Sequence, residues 1–246
     1  MTLTESHAFG VEEPGVLDTT IGDLLRAAAA RAGDRVALIE GVDDPSSRRE
    51  WTYAELLADA ERTAQALLAR FSPGDHVAVW AHNIPEWVLV ELGCALAGMT
   101  VVTVNPAYQA NELQYVVSQS NSKGLFVVDD HRGNPMLSIA EQVRADCPDL
   151  EEIIRFSQWD DFLASGDPSI TLPAVAPGDQ VMIQYTSGTT GFPKGAQLTH
   201  RSCLNQLLSS LFVSLSQGTA NALIKGEQPP NPMDPNAVPP TGLLAT

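Results

Sequence analysis

Apolar residues follow two alternating patterns along the first 200 residues. Short runs rich in β-branched residues predict buried strands, whereas stretches with an apolar residue every three or four positions predict amphipathic helices. The predicted strands are residues 36–40, 76–80, 100–104, 124–128, 153–156 and 180–185, and the predicted helices start near residues 21, 53, 85, 111 and 137. Strands separated by helices of about 10 to 15 residues favour parallel pairing with right-handed crossovers. The pattern therefore predicts an α/β fold with a doubly wound parallel sheet.

Polar residues and turn formers mark the ends of these elements. Thr20-Ile-Gly-Asp23 and Thr52-Tyr-Ala-Glu55 have the spacing of capping boxes at helix starts. Pro73-Gly74 marks a turn after the second helix, and Asn105-Pro106 ends the strand at 100–104. Each signal lies beside an apolar run, which supports the alternation of helices and strands.

Two stretches depart from this alternation. Residues 164–178 are rich in proline, glycine and serine and are expected to connect to the strand at 180–185. Residues 227–246 are crowded with proline, which removes backbone donors and disfavours packed secondary structure. We therefore expect an organised region of residues 1–205 and a divergent, poorly ordered tail of residues 206–246.

The composition is that of a globular protein, with 44% hydrophobic and 18% charged residues. A formal net charge of −16 would repel a phosphate backbone, so nucleic acid is excluded as a partner. Residues 88–104 are apolar but contain Glu91 and Gly98, which argues against a transmembrane segment. The N-terminus lacks the basic start and apolar stretch of a signal peptide. The three cysteines have no paired spacing, which predicts reduced thiols in a cytoplasmic protein rather than disulfides or zinc ligands.

The strand at 180–185 runs directly into a loop rich in glycine and hydroxyl groups, and a helix is predicted from about His200. Glycines allow the backbone to approach an oxyanion, hydroxyl groups donate to phosphate oxygens, and a lysine adds positive charge. The candidate phosphate-binding residues are Thr186, Ser187, Gly188, Thr189, Thr190, Gly191 and Lys194, with Gly195 completing the loop. A strand, this loop and a following helix form the arrangement that phosphate binding requires.

The spacing differs from the phosphate loop of nucleoside triphosphatases. That loop has a lysine directly after its second glycine and a hydroxyl residue after the lysine. In this chain Phe192 and Pro193 separate Gly191 from Lys194, and Gly195 follows. The spacing therefore disfavours an interpretation of the chain as a kinase or GTPase.

The segment Tyr185-Thr-Ser-Gly-Thr-Thr-Gly-Phe-Pro-Lys-Gly195 closely resembles the phosphate loop of the adenylate-forming family of acyl-CoA synthetases, luciferases and nonribosomal-peptide adenylation domains. Segments similar to those of the family precede it in the same order, at Trp51-Thr-Tyr, Asn83-Ile-Pro-Glu-Trp and Val104-Asn-Pro-Ala-Tyr108. The resemblance covers about residues 20–205 and is greatest to fatty-acid and medium-chain acyl-CoA ligases. Tryptophans 51, 80 and 87 are expected in the core rather than in catalysis.

The resemblance implies that the complete enzyme couples a carboxylic acid, such as a fatty acid, to ATP with Mg²⁺ and then transfers the acyl group to coenzyme A. It implies that the loop holds the β- and γ-phosphates and that Lys194 is a catalytic residue that stabilises the departing pyrophosphate. His200 is interpreted as a hydrogen-bonding cap and not as a base. No residue is assigned as a metal ligand, and the acyl chain length and oligomeric state stay open.

The family's later segments, which bind adenine and ribose and supply a C-terminal lysine, are not found after Asn205. Asn231-Pro-Met233 is similar to the start of the family's acyl-pocket segment, but its continuation differs. The hypothesis is an N-terminal fragment without the C-terminal domain, inactive by itself. Two alternatives remain, a non-catalytic chain that binds nucleotide and a phosphotransferase of unrelated fold.

Overall fold

The computed structural model describes residues 16–186, 193–210 and 213. The chain divides into a unit of residues 1–202 and a unit of residues 203–246. Within the described residues, the first unit contains the sheet and the helices that cover it, and a further helix spans residues 200–210.

Helices and strands alternate over most of the first unit, as the sequence predicts. The helices are α1 (Ile21–Ala32), α2 (Tyr53–Leu68), α3 (Pro85–Ala97), α4 (Ala110–Gln119), α5 (Met136–Val143) and α6 (Trp159–Ala164). The strands are β1 (Val36–Ile39), β2 (Glu50–Thr52), β3 (His76–Trp80), β4 (Thr100–Val104), β5 (Ser122–Val127), β6 (Glu152–Arg155), β7 (Gln180–Thr186) and β8 (Lys194–Thr199). Short 3-10 helices lie at Pro45–Ser47, Arg144–Asp146 and Phe156–Gln158.

Six strands form the main sheet in the order β6-β5-β3-β4-β7-β8. All neighbouring pairs are parallel except β7 and β8, which are antiparallel. Helices α1, α2 and α3 contact one another, α2 also contacts α6, and α4 contacts α5, so the helices form two groups. The predicted doubly wound α/β fold is confirmed.

Strand β1 does not join the parallel sheet, contrary to the expectation from the alternating pattern. It pairs with β2 in a separate antiparallel sheet of two strands. Strands inside a parallel sheet are buried on both faces, whereas Val36 and Ile39 are 49% and 51% exposed. The ribbon is attached through Trp51, which is buried and donates from Nε1 to Asp59 of α2 at 3.0 Å. Strand β2 was not predicted from the sequence because it has only three residues.

The two predicted capping boxes differ in the structure. At α2 the box is complete, because Thr52 Oγ1 accepts from the Glu55 N–H and Glu55 Oε2 accepts from the Thr52 N–H. At α1 only half of it forms. Thr20 Oγ1 accepts from the Asp23 N–H at 3.0 Å, but the Asp23 carboxylate accepts from Arg26 instead.

Helices α2 and α3 approach closely at Gly93. A Cβ atom at this position would lie 2.6 Å from Thr63 Cγ2 and 3.2 Å from the Ala64 nitrogen. Thr63 is fully buried and its hydroxyl donates to the Asp59 carbonyl at 2.8 Å, so it cannot readily turn away. The packing of this helical layer therefore depends on a glycine in α3.

We expect Gly93→Val to lower the free energy of unfolding by about 1–3 kcal/mol, because the added side chain overpacks the contact with α2. Urea unfolding followed by circular dichroism measures the change. Gly41→Val is the matched control, since a Cβ at Gly41 would meet nothing within 4 Å. Equal losses of stability in the two variants would contradict the interpretation.

Candidate functional site

The candidate loop connects the two strands of an antiparallel hairpin. In the register of β7 and β8, Tyr185 pairs with Gly195 and Thr186 pairs with Lys194. The helix that was predicted to follow the loop does begin at residue 200, but β8 lies between the loop and this helix. Residues 194–199 show no regular apolar alternation, so their strand conformation depends on pairing with β7 rather than on a local signal.

The hairpin brings the loop to the carboxyl edge of the parallel sheet. Strand β7 is parallel to β4, with Val101 opposite Met182 and Thr103 opposite Gln184. The loop therefore leaves the sheet at the edge where β4 also ends. In open α/β sheets, ligands bind outside the carboxyl ends of the strands, so the position of the loop suits a binding site.

The structure describes two of the seven predicted phosphate-binding residues, Thr186 and Lys194, and places them opposite each other at the base of the loop. The other five lie outside the described residues, namely Ser187, Gly188, Thr189, Thr190 and Gly191. Both Thr186 and Lys194 are exposed, and Thr186 Oγ1 lies 3.5 Å from the Lys194 carbonyl oxygen.

Lys194 has no ion-pair partner within ranges 16–186 and 193–210. In a chain with a net charge of −16, an exposed lysine at the base of a loop is available to an anionic ligand. The residues present thus fit a phosphate group, although only the base of the cradle is described.

Tyr185 covers the base of the hairpin. A Cβ atom on Gly195 would lie 3.1 Å from Tyr185 Cζ and 2.8 Å from Ile183 Cγ2, so a side chain at position 195 would collide with both. The Tyr185 hydroxyl donates to the Val116 carbonyl of α4 at 3.4 Å. Burial raises the pKa of Tyr185 to about 12, so the hydroxyl stays protonated well above neutral pH.

A second tyrosine contacts the residue directly before β8. The Tyr115 hydroxyl of α4 donates to the Pro193 carbonyl at 3.1 Å. This contact could not be predicted from the sequence, because Tyr115 belongs to an ordinary predicted helix and lies 78 positions from Pro193.

A cleft of about 370 Å³ adjoins the base of the hairpin. It lies at the carboxyl ends of β4 and β7, and its lining is mostly polar. The lining residues are Thr103, Val104, Asn105, Tyr108, Gln184 and Tyr185. Burial raises the pKa of the Tyr108 hydroxyl.

His200 directly follows β8, begins the next helix and is fully buried. Its Nδ1 accepts from the Ile21 N–H at 3.2 Å, and its Nε2 has no partner among the residues that the structure describes. Ile21 is the first residue of α1. The N–H groups in the first turn of a helix lack partners within the helix. The side chain therefore caps α1 rather than the helix in which His200 itself lies. Burial lowers the pKa of His200, so the ring is neutral in this position.

Neither a metal centre nor a membrane segment is found in the part of the chain that the structure describes. No group of three or more His, Cys, Asp or Glu side chains is arranged to hold a metal ion there. No helix in these ranges is long and apolar enough to span a membrane. Cys94 and Cys147 are buried, and Cys203 is partly buried.

Comparison with known families gives a match to the profile described as AMP-binding enzyme over residues 25–223. This range includes the hairpin, the loop, α4 and the cleft.

Curated relatives are similar over most of this chain. The acyl-CoA synthetase candidate YngI of Bacillus subtilis (strain 168) is 32% identical over 77% of this chain and 39% of its own length. The mitochondrial medium-chain acyl-CoA ligase ACSF2 of Mus musculus is 30% identical over 81% of this chain and 36% of its own length. The chain thus spans less than half the length of these relatives.

Solved structures share the fold. The inhibitor-bound N-terminal domain of FACL13 from Mycobacterium tuberculosis is 32% identical, with a TM-score of 0.64 over 74% of this chain and 44% of that one. A fatty acyl CoA synthetase of Mycobacterium tuberculosis is 30% identical, with a TM-score of 0.62 over 74% of this chain and 34% of that one.

We expect the stability of the chain to depend on pH through His200. The unfolded histidine has a pKa of about 6.5, and the folded pKa is lower, so acidification protonates the unfolded state first and destabilises the fold. His200→Gln keeps an acceptor for Ile21 but does not titrate. Between pH 7.5 and 5.5 the parent should lose more stability than this variant, by at most about 1.4 kcal/mol, the limit in which the folded ring takes up no proton.

Urea unfolding at the two pH values measures this difference. Burial raises the pKa of Glu91 to about 7, so protonation of Glu91 on acidification stabilises the fold. Glu91 is present in both proteins, and its contribution therefore cancels in the difference between them. Identical pH dependence in parent and variant would rule out His200 as the cause.

Proposed function

Because the chain belongs to the AMP-binding enzyme family, we propose that its loop binds the phosphates of ATP in an enzyme that activates a carboxylic acid. The observation that carries the proposal is the loop motif at the end of β7, on the carboxyl edge of the sheet, with Lys194 exposed at its base. Exposed positive charge and hydroxyl groups at such an edge suit a triphosphate.

The proposed reaction has two steps. A carboxylate oxygen of the acid attacks the α-phosphorus of ATP, the bond from that phosphorus to the bridging oxygen breaks, and pyrophosphate leaves. The thiolate of coenzyme A then attacks the acyl carbon, a thioester forms, and AMP leaves with the former carboxylate oxygen. Mg²⁺ would neutralise part of the phosphate charge when bound.

The residues of this chain act mainly in the first step. The hydroxyl groups of Thr186, Ser187, Thr189 and Thr190 would donate to the β- and γ-phosphates, and Gly188 and Gly191 would let the backbone approach them. Lys194 would stabilise the charge that accumulates on pyrophosphate as it departs.

The acid is proposed to be a fatty acid, with medium-chain acids as the first to test. The name of the mouse relative specifies a medium-chain acyl-CoA ligase, and that of the Mycobacterium tuberculosis structure a fatty acyl CoA synthetase. A cleft of about 370 Å³ that shares Tyr185 with the base of the hairpin lies within the range of small-molecule sites.

Nucleotide binding is the part of this activity that we assign to the chain by itself. Residues 1–205 are proposed as the N-terminal part of the nucleotide-binding domain, with residues 206–246 as a divergent tail. The chain spans 39% or less of the two curated relatives named above, so turnover is proposed only together with the machinery of the longer proteins. The cytoplasmic location stays a prediction.

Exchange of labelled pyrophosphate into ATP tests the proposed function. The full chain would be assayed with Mg²⁺ and carboxylic acids from acetate to palmitate, and ATP binding would be measured by calorimetry on the same sample. Exchange that depends on one class of acid would establish adenylation and identify the substrate. Binding without exchange would establish a nucleotide-binding chain, and a folded sample with neither property would contradict the proposal.

We expect Lys194→Ala to weaken ATP binding by about 10-fold, equivalent to about 1.4 kcal/mol, because a charge-assisted contact with phosphate is lost. Calorimetry with Mg·ATP measures the change. Lys123→Ala is the control, since Lys123 lies near the amino end of β5, away from the carboxyl edge that carries the loop. There it pairs with Asp75 and Glu151. Equal affinity of parent and Lys194→Ala would remove Lys194 from the site.

A further inference from the structure

The residues that flank the loop, Tyr185 and Pro193, are hydrogen-bonded to consecutive residues of α4. On the side that enters the loop, the Tyr185 hydroxyl donates to the Val116 carbonyl at 3.4 Å. On the side that leaves it, the Pro193 carbonyl accepts from the Tyr115 hydroxyl at 3.1 Å. One turn of α4 thus contacts the loop at its entrance and at its exit.

Helix α4 is a firm support for these contacts. Leu113 and Val116 are fully buried, and Val117 is almost so, which fixes one face of the helix against the core. Its first turn is capped, because the Gln109 N–H donates to Glu112 Oε2 at 2.8 Å. A side chain on this helix therefore has a defined position relative to the sheet.

The hairpin ladder does not restrain Pro193. The last pair of the register is Thr186 with Lys194, so Pro193 lies one residue beyond the paired strands. Proline has no N–H group, and its carbonyl is the only backbone group that can be held by a hydrogen bond. The Tyr115 hydroxyl supplies that bond and extends the restraint of the ladder by one residue into the loop.

The geometry points to Tyr115 as a positioning residue for Lys194. The carbonyl it holds belongs to the peptide group that joins Pro193 to Lys194. Because a peptide group is planar, fixing its carbonyl also fixes the direction of the Lys194 N–H and the position of the Lys194 Cα atom. Tyr115 acts through Lys194 and aims it at the phosphates, an inference that rests on the proposed nucleotide site.

Tyr115→Phe removes only the hydroxyl group and tests the inference in the full chain. We expect the dissociation constant for Mg·ATP to rise by about 3- to 10-fold, the effect of one lost hydrogen bond. In a Lys194→Ala background the same substitution should change affinity by less than about 2-fold, because the group that it positions is absent. Tyr53→Phe, in α2 of the other helical layer, is the matched control and should bind as the parent does.

A second measurement needs no nucleotide. Trypsin cleaves after lysine, and loosening the peptide before Lys194 should accelerate cleavage at Lys194-Gly195 by about 3- to 10-fold in Tyr115→Phe but not in Tyr53→Phe. Unchanged cleavage would overturn the positioning role. It would also be overturned if the affinity losses of Tyr115→Phe and Lys194→Ala were fully additive in the double variant. If the parent does not bind ATP while Tyr115→Phe is cleaved faster, the proposed function fails and the structural role of Tyr115 stands.

Discussion

The pairing of β7 on its two edges is the constraint on which the candidate site depends. One edge pairs in parallel with β4, and the other pairs antiparallel with β8. Because β7 is parallel to β4, it ends at the carboxyl edge of the sheet. Because β8 is antiparallel to β7, it begins at that same edge. Thr186 and Lys194, the two ends of the loop, therefore lie together at the carboxyl edge of the sheet, where open α/β sheets bind ligands.

Close packing supports this hairpin from within. Gly195 leaves room for the ring of Tyr185, whose hydroxyl donates to the Val116 carbonyl of α4. Tyr185 is therefore both a packing element and a hydrogen-bond donor. At the far end of β8, His200 caps α1 and connects the hairpin to the start of the organised region.

The charge at the base of the loop supports the proposed phosphate site. The chain carries a net charge of −16, yet Lys194 is exposed at the base of the loop and pairs with no acidic side chain in the described residues. A single positive charge beside hydroxyl and backbone donors can attract a phosphate locally, because screening by salt weakens repulsion from acidic groups more than a Debye length away. The family match over residues 25–223 includes this segment, and the chain spans only part of its relatives.

The sequence by itself determined the alternation of helices and strands, the parallel sheet and the phosphate-binding motif, because each depends on local periodicity or on contiguous residues. Only the tertiary structure decided that β1 leaves the main sheet, that β8 follows the loop, and that Tyr115 and His200 hold distant backbone groups. The Tyr115 contact joins residues 78 positions apart and the His200 contact residues 179 positions apart. Such contacts arise from the packing of whole elements and leave no periodic signal in the sequence around either partner.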